Sequence, residues 1–263
     1  MAKHYPTPYP EVNAVLDLLL AGAREVLGEQ LVGMYLYGSL SSGDFDPLSS
    51  DIDFLIVTSD MLDDTATTEL EKMHQRIWAS GFKCALKLEG SYLPVNHLPR
   101  YEKSGIAYPT VNEGKFYLAP HDSDWIIQRH IIRECGLALA GPDSKSLIEP
   151  VSPQDIRCAV RGFLDGWWFP LLADLPRLKN RGNGYHAYAI LTMCRSLHAL
   201  EHGTIVSKPK AAKWAKEAFE GKWKPAIEQA LAVQAGRGDC DLFDDAVSFI
   251  RFTLEIVTAR PDR

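Results

Sequence analysis

Cysteine is scarce in this chain and forms no pattern. Cys84, Cys135, Cys158, Cys194 and Cys240 are scattered, odd in number and include no C-x-x-C pair. That argues against a disulfide framework and against a zinc site, and the thiols read as small buried hydrophobes in a reducing compartment. Long apolar runs are missing too, so no segment reads as a membrane span. The opening residues, Met1-Ala2-Lys3-His4-Tyr5-Pro6, have no apolar stretch behind the lysine and do not form a secretory leader. A cytoplasmic protein without a membrane partner is the expectation. Excess positive charge is likewise absent: 28 Lys+Arg against 34 Asp+Glu give a formal net charge of −6. A general nucleic-acid binder would present a basic face, so no nucleic-acid partner is expected, and the balance suits a cationic small molecule better. With no repeat, heptad run or long apolar edge, a monomer is expected.

What is present is ordinary in bulk and pointed in one place. At 263 residues, 46% hydrophobic and 24% charged, the chain is long enough for two modest domains with substantial cores. Gly38-Ser39 is followed, twelve residues after Ser39, by Asp51-Ile52-Asp53, and the set lies between the apolar runs Leu31 to Leu36 and Phe54 to Val57. Carboxylates at i and i+2 on a strand point to the same side. Asp51 and Asp53 can therefore grip one Mg²⁺, a hard cation usually held by one or two carboxylates plus substrate phosphates. Gly38 permits a sharp turn and close approach of the backbone to a phosphate. Ser39 adds a hydroxyl and an N–H where a helix is expected to begin. The set reads as a site for a nucleoside triphosphate with a divalent metal.

Periodicity predicts a helix over 10–27 ended by Gly28, a strand over 31–37, a polar loop over 41–50, a strand over 51–57, a helix over 65–80 and a strand over 83–92. That order implies a mixed α/β sheet. A further helix is expected over 122–139, capped by Asp122 or Ser123. Gly141-Pro142 breaks the pattern, and Glu149-Pro150-Val151-Ser152-Pro153 marks a domain boundary. Beyond it, 154–168, 185–200, 209–220, 225–235 and 242–259 read as helices, an all-α bundle. The expected architecture is α/β plus all-α: a mixed sheet with flanking helices over 1–150 and a helical bundle domain over 151–263.

Gly38-Ser39 with Ser50-Asp51-Ile52-Asp53 resembles the signature of the nucleotidyltransferase superfamily of the DNA polymerase β type. Further stretches narrow the resemblance: Leu139-Ala140-Gly141-Pro142, Glu149-Pro150-Val151, Leu191-Thr192-Met193-Cys194-Arg195, Gly203-Thr204-Ile205-Val206-Ser207-Lys208 and Ala212-Lys213-Trp214-Ala215. Together they resemble the aminoglycoside adenylyltransferases that modify streptomycin and spectinomycin, in order over roughly residues 31 to 260. The resemblance implies ATP as co-substrate, Mg²⁺ held by Asp51 and Asp53 with Glu89 as the third carboxylate, and Glu89 as general base. It also implies Gly38, Ser39 and Ser50 at the phosphates or metal shell, and Arg195 and Lys208 as triphosphate clamps from the helical domain. ATP, Mg²⁺ and acceptor are then expected in the cleft between the domains. The reaction it implies is AMP transfer to a hydroxyl of an aminoglycoside-like acceptor, with release of pyrophosphate.

The chain departs from that family in one stretch. Where the streptomycin/spectinomycin enzymes carry an acidic Gly-Asp-Glu-Arg-Asn-like segment, it has Gly184-Tyr185-His186-Ala187-Tyr188, with Asp165 and Asp174 the nearest acids in sequence. Tyr185, His186, Tyr188 and Trp168 are the candidate acceptor contacts, suited to stacking and neutral hydrogen bonding. Two other functions stand beside the favoured one: adenylylation of a different, less cationic acceptor, and a nucleotide-binding, antitoxin-like module without turnover. Glu89 speaks against the second, because a binder needs no base.

Overall fold

The computed structural model describes residues 6–47, 49–219 and 221–259. The start of the stretch read for a leader, the end of the helix expected to reach Glu220 and one loop residue, Leu48, lie outside them. The chain folds as two compact units, Met1–Pro150 and Val151–Arg263.

In the first unit, α1 (Pro10–Leu27) begins with proline at its first position, where the missing N–H has no partner to lose. It buries Val12, Val15, Leu16, Leu19, Ala23 and Leu27 at helical spacing. The elements that follow are β1 (Leu31–Leu36), α2 (Gly38–Ser42), β2 (Ile52–Thr58), α3 (Asp64–Trp78), β3 (Leu88–Pro94), β4 (Ala107–Asn112), β5 (Lys115–Pro120), α4 (Asp124–Cys135) and β6 (Leu137–Ala140). The sheet order is β5-β4-β3-β2-β1-β6. β2 pairs parallel to β3, and the other neighbours run antiparallel. β2 is central and apolar on both sides, as a strand covered on two faces must be. One face packs Met34, Leu36, Phe54, Ile56 and Tyr92 under α1 and α3. The other packs Tyr35, Tyr37, Leu55, Val57, Leu93 and Tyr108 with Ile132 of α4.

The structure differs from the sequence pattern at three places. The strand expected over 83–92 begins only at Leu88, because Lys83–Lys87 is a 3₁₀ turn in which neighbouring Cys84 and Ala85 both turn inward. The helix expected over 122–139 ends at Cys135; Leu137–Ala140 instead completes the edge of β1, with Tyr35 opposite Ala138. Neither Asp122 nor Ser123 caps α4 with its side chain. The hairpin β4–β5, not anticipated, turns through Glu113 (φ 49°) and Gly114 (φ 69°). Positive φ at both central residues suits the right-handed twist of its strands.

The second unit is helical: α5 (Pro153–Phe163), a π-helical turn (Leu164–Trp168), α6 (Leu175–Lys179), α7 (Asn183–His202), α8 (Lys208–Ala218), α9 (Lys224–Gln234) and α10 (Phe243–Ala259). A capping box between Ser152 and Asp155 starts α5. The central helix is α7, which packs against α5, α8, α9 and α10. Its buried residues run round the helix and include Ala187, Ala189, Ile190, Leu191, Met193, Cys194 and Leu197. No described helix is long and apolar enough to cross a membrane.

Candidate active site

The site grows out of the register between β2 and β3. Asp53 lies opposite Glu89, and Ile52 opposite Leu88. Strand alternation puts both carboxylates on the face that carries Leu55, Val57 and Leu93, the α4 side of the sheet. Asp51, exposed just ahead of β2, belongs to the same alternate set.

Two glycines permit this approach. Gly38 opens α2 with φ 64°, and a Cβ built on it would lie 1.9 Å from Asp53 Oδ2 and 2.7 Å from its Cγ. The preceding Tyr37 N–H donates to the Asp53 carbonyl at 3.2 Å. Gly90 does the same for the neighbouring strand: its Cβ would meet the Phe54 carbonyl oxygen at 2.2 Å. The cradle around Asp53 is thus closed by backbone, and only a hydrogen fits on Gly38.

The electrostatics tie more groups to this face. Tyr37 is buried, and burial first, then the charges of Asp53, Glu89 and Asp124, raise its hydroxyl well above the ordinary tyrosine range. The hydroxyl therefore stays protonated. Asp124 opens α4, and its carboxyl is itself raised by burial and by the charge of Asp122. Glu89 also reaches toward β5: the Tyr117 hydroxyl is raised by burial and then by Glu89. Sequence reasoning missed Tyr37 and Asp124. The first had a signal in its place directly before Gly38; the second had none beyond a helix start.

The two serines differ in their bonding. Ser39 is half-buried in α2, where its carbonyl accepts the N–H groups of Gly43 and Asp44. The Ser50 Oγ accepts the Asp46 N–H at 3.0 Å, and the Ser50 N–H donates to the Asp46 carbonyl at 2.8 Å. Lys87 Nζ donates to the Pro47 carbonyl at 3.2 Å, so the loop before Asp51 is tied at both ends. Ser50 Oγ thus serves as an acceptor within the loop.

Magnesium is implied by the resemblance, and the donors suit it. Asp51, Asp53 and Glu89 supply hard carboxylate oxygens, and the Gly38 cradle fixes one of them. Among the described residues no group of three His, Cys, Asp or Glu side chains is placed to hold a metal ion, so the three carboxylates do not form a ready-made set. Mg²⁺ does not depend on one, since it keeps waters and takes substrate phosphates as ligands.

In the second unit, Tyr185, Tyr188 and Arg195 share a face of α7 by their spacing of three and seven residues. Tyr185 and Tyr188 lie with ring centroids 5.7 Å apart, and Trp168 packs against them at 5.6 and 5.8 Å. Lys208, at the start of α8, holds its ammonium 4.1 Å from the centroid of the Tyr188 ring. Trp168 and His186, expected to touch an acceptor, are placed otherwise. Trp168 is fully buried, and His186 is 3% exposed, donating from Nε2 to the Leu178 carbonyl at 3.0 Å. One residue along the helix from Tyr185 is enough to turn His186 into the core against Phe243. The exposed member of the Trp pair is Trp167, whose Nε1–H donates to the Tyr185 hydroxyl at 2.9 Å. Guanidinium groups of Arg177 and Arg181 lie over the Trp167 ring, and Arg181 also lies over Tyr185.

Paired carboxylates on adjacent strands under a glycine turn, on a mixed sheet, define a nucleotidyltransferase, and known proteins agree. Residues 20–97 match the family model described as nucleotidyltransferase domain, and residues 146–255 match that of the aminoglycoside adenylyltransferase C-terminal domain. A spectinomycin 9-adenylyltransferase of Staphylococcus aureus is 26% identical over 231 residues, 83% of this chain and 82% of the relative. An aminoglycoside (3'') (9) adenylyltransferase of Shigella flexneri is 25% identical over 256 residues, 92% of this chain and 94% of the relative. The spectinomycin adenyltransferase AAD(9) from Enterococcus faecialis, solved with ATP and spectinomycin, shares the fold. Its TM-score is 0.69 at 18% identity, over 92% of this chain and 98% of that one. The chain thus carries a nucleotidyltransferase domain followed by the C-terminal domain of the aminoglycoside adenylyltransferases, and it is a nucleotidyltransferase.

Proposed function

We propose that this enzyme transfers AMP from ATP to a hydroxyl of an aminoglycoside or aminocyclitol antibiotic such as spectinomycin or streptomycin, and releases pyrophosphate. The observation that carries this reading is the pairing of Asp53 with Glu89 across β2 and β3, under a glycine that admits no side chain. Glu89 accepts the proton of the attacking hydroxyl, a contribution of about 10²- to 10⁴-fold. Asp51 and Asp53 would hold Mg²⁺, which when bound neutralises charge on the phosphate oxygens and so favours in-line displacement. Gly38, Ser39 and the Ser50 hydroxyl meet the phosphates, and Arg195 and Lys208 supply cations for the triphosphate. Tyr185 and the exposed Trp167 offer ring surface to the acceptor. The protein works as a cytoplasmic monomer, without nucleic acid or membrane.

A second reading concerns the acceptor alone. The aromatic surface carries Arg177 and Arg181 where a carboxylate would serve a polycation. This favours an acceptor of low positive charge, and each charge-assisted contact it forgoes is worth roughly 1.5–3 kcal/mol. The test for both readings is Mg²⁺-dependent pyrophosphate release from ATP, screened over spectinomycin, streptomycin and unrelated aminoglycosides. Release with spectinomycin but not with guanidinium-bearing streptomycin would select the second reading. Silence across the panel would move the acceptor outside this antibiotic class.

A further inference from the structure

The Lys208 ammonium does not stand on its helix alone: it lies over the ring face of Tyr188, 4.1 Å from the centroid. The ring is backed in turn. Trp168, fully buried, packs behind Tyr185 and Tyr188, and Phe163 meets Trp168 edge-on at 6.3 Å. Trp168 closes the π-helical turn Leu164–Trp168, and Tyr188 rides on α7, the helix at the centre of the bundle. A chain of rigid groups thus runs from the core to one ammonium. The contrast with the lysine itself is sharp, since a four-carbon stem has many rotamers and a strongly hydrated head. A ring face within about 6 Å attracts such a head by its quadrupole, and more strongly when water is partly excluded. Both Tyr188 and Lys208 are half-buried.

We infer that Tyr188 is a positioning residue for nucleotide binding, its ring holding the Lys208 ammonium in place so that the triphosphate meets an ordered cation. The inference rests on the reading of Lys208 as a triphosphate cation. It assigns Tyr188 to the nucleotide rather than to the acceptor, and it acts through Lys208.

The experiment is a double-mutant cycle on the full chain, read by the Kd of Mg-ATP and by KM for ATP and for the acceptor. Tyr188→Phe keeps the ring and should bind ATP within about twofold of wild type. Tyr188→Leu should weaken ATP binding about fivefold and leave the acceptor KM unchanged. Lys208→Ala should weaken it at least as much, and adding Tyr188→Leu to Lys208→Ala should cost nothing further. Additive losses, or a rise confined to the acceptor KM, would overturn the inference while leaving Lys208 its role. A Lys208→Ala protein that binds ATP as wild type does would remove the parent reading and the inference together. Should Tyr188→Leu fail to fold, phenylalanines of increasing fluorine content at position 188 keep the shape and weaken the ring face. Stepwise loss of ATP affinity with fluorination is expected, and a flat series overturns the inference.

Discussion

A methyl group on Gly38 would occupy the space of the Asp53 carboxylate, so Gly38→Ala is a direct perturbation of the proposed metal ligand. The added carbon would lie 1.9 Å from Oδ2, and ordinary contact begins at 3.4 Å, so carboxylate or turn must retreat by about 1.5 Å. The backbone adds its own cost, because φ is 64° and a residue with a Cβ is less stable there by about 1–2 kcal/mol. In a unit of this size that lowers Tm by only a few degrees. Displacing a catalytic group by an ångström costs about 10²-fold in rate. The expected outcome is therefore a folded protein whose AMP-transfer kcat falls about 10²-fold or more. Thermal melting and steady-state kinetics on one preparation separate the two effects. A Gly38→Ala enzyme with a kcat close to that of the wild type would refute the cradle argument, and so would a loss explained wholly by unfolding at the assay temperature.

Other substitutions test the remaining parts. Glu89→Gln should lower kcat by about 10²- to 10⁴-fold while Mg-ATP binding, followed by calorimetry, stays near wild type. His186→Ala should lower stability by about 2 kcal/mol in urea unfolding and leave the acceptor KM unchanged, since the ring is buried and bonded to Leu178. Burial holds His74 and His121 at about 3 in the folded protein, against 6.5 for an exposed ring; Arg129 adds to the shift at His121. The unfolded chain thus takes up protons first, and stability should fall as pH drops below about 6.5, by up to about 1.4 kcal/mol per unit for each ring. His74→Asn should flatten that slope between about pH 6.5 and 5 in denaturant titrations. Arg129→Met should cost about 2 kcal/mol or more, because it strands the carbonyls of His97 and Leu98 that the guanidinium now satisfies.

The parts of the fold legible in the sequence are those where periodicity and punctuation agree. α1 shows both, with Pro10 at one end, Gly28 at the other and buried residues at helical spacing between them. β1 and β2 could be read because each is an apolar run beside the Gly-Ser or Asp-Ile-Asp motif. β4 and β5 could not: Pro109 and Pro120 read as breakers, and the outer strand β5 has little buried surface to impose an alternation. β6 is four residues long and gains its strand character from the edge of β1, a partner about 100 residues earlier in the chain. The site shows the same division. Asp51, Asp53 and Gly38 announce themselves by spacing, and Glu89 needed the family resemblance, but its pairing with Asp53 is a matter of register that no local pattern encodes. In the bundle, a Trp-Trp pair on a π-helical turn hides which ring faces outward. The structure buries Trp168 and exposes Trp167.

AMP transfer that depends on the Asp53–Glu89 pair can be watched in a single reaction. The protein is incubated with Mg²⁺, α-labelled ATP and spectinomycin, and the products are separated by mass. An adenylylated acceptor and an equal amount of pyrophosphate are expected from the wild type, and at least about 10²-fold less of both from Asp53→Asn or Glu89→Gln. A product formed equally well by those variants would remove the pair from the chemistry, and a wild type that binds ATP yet labels no acceptor of this class would remove the proposed reaction.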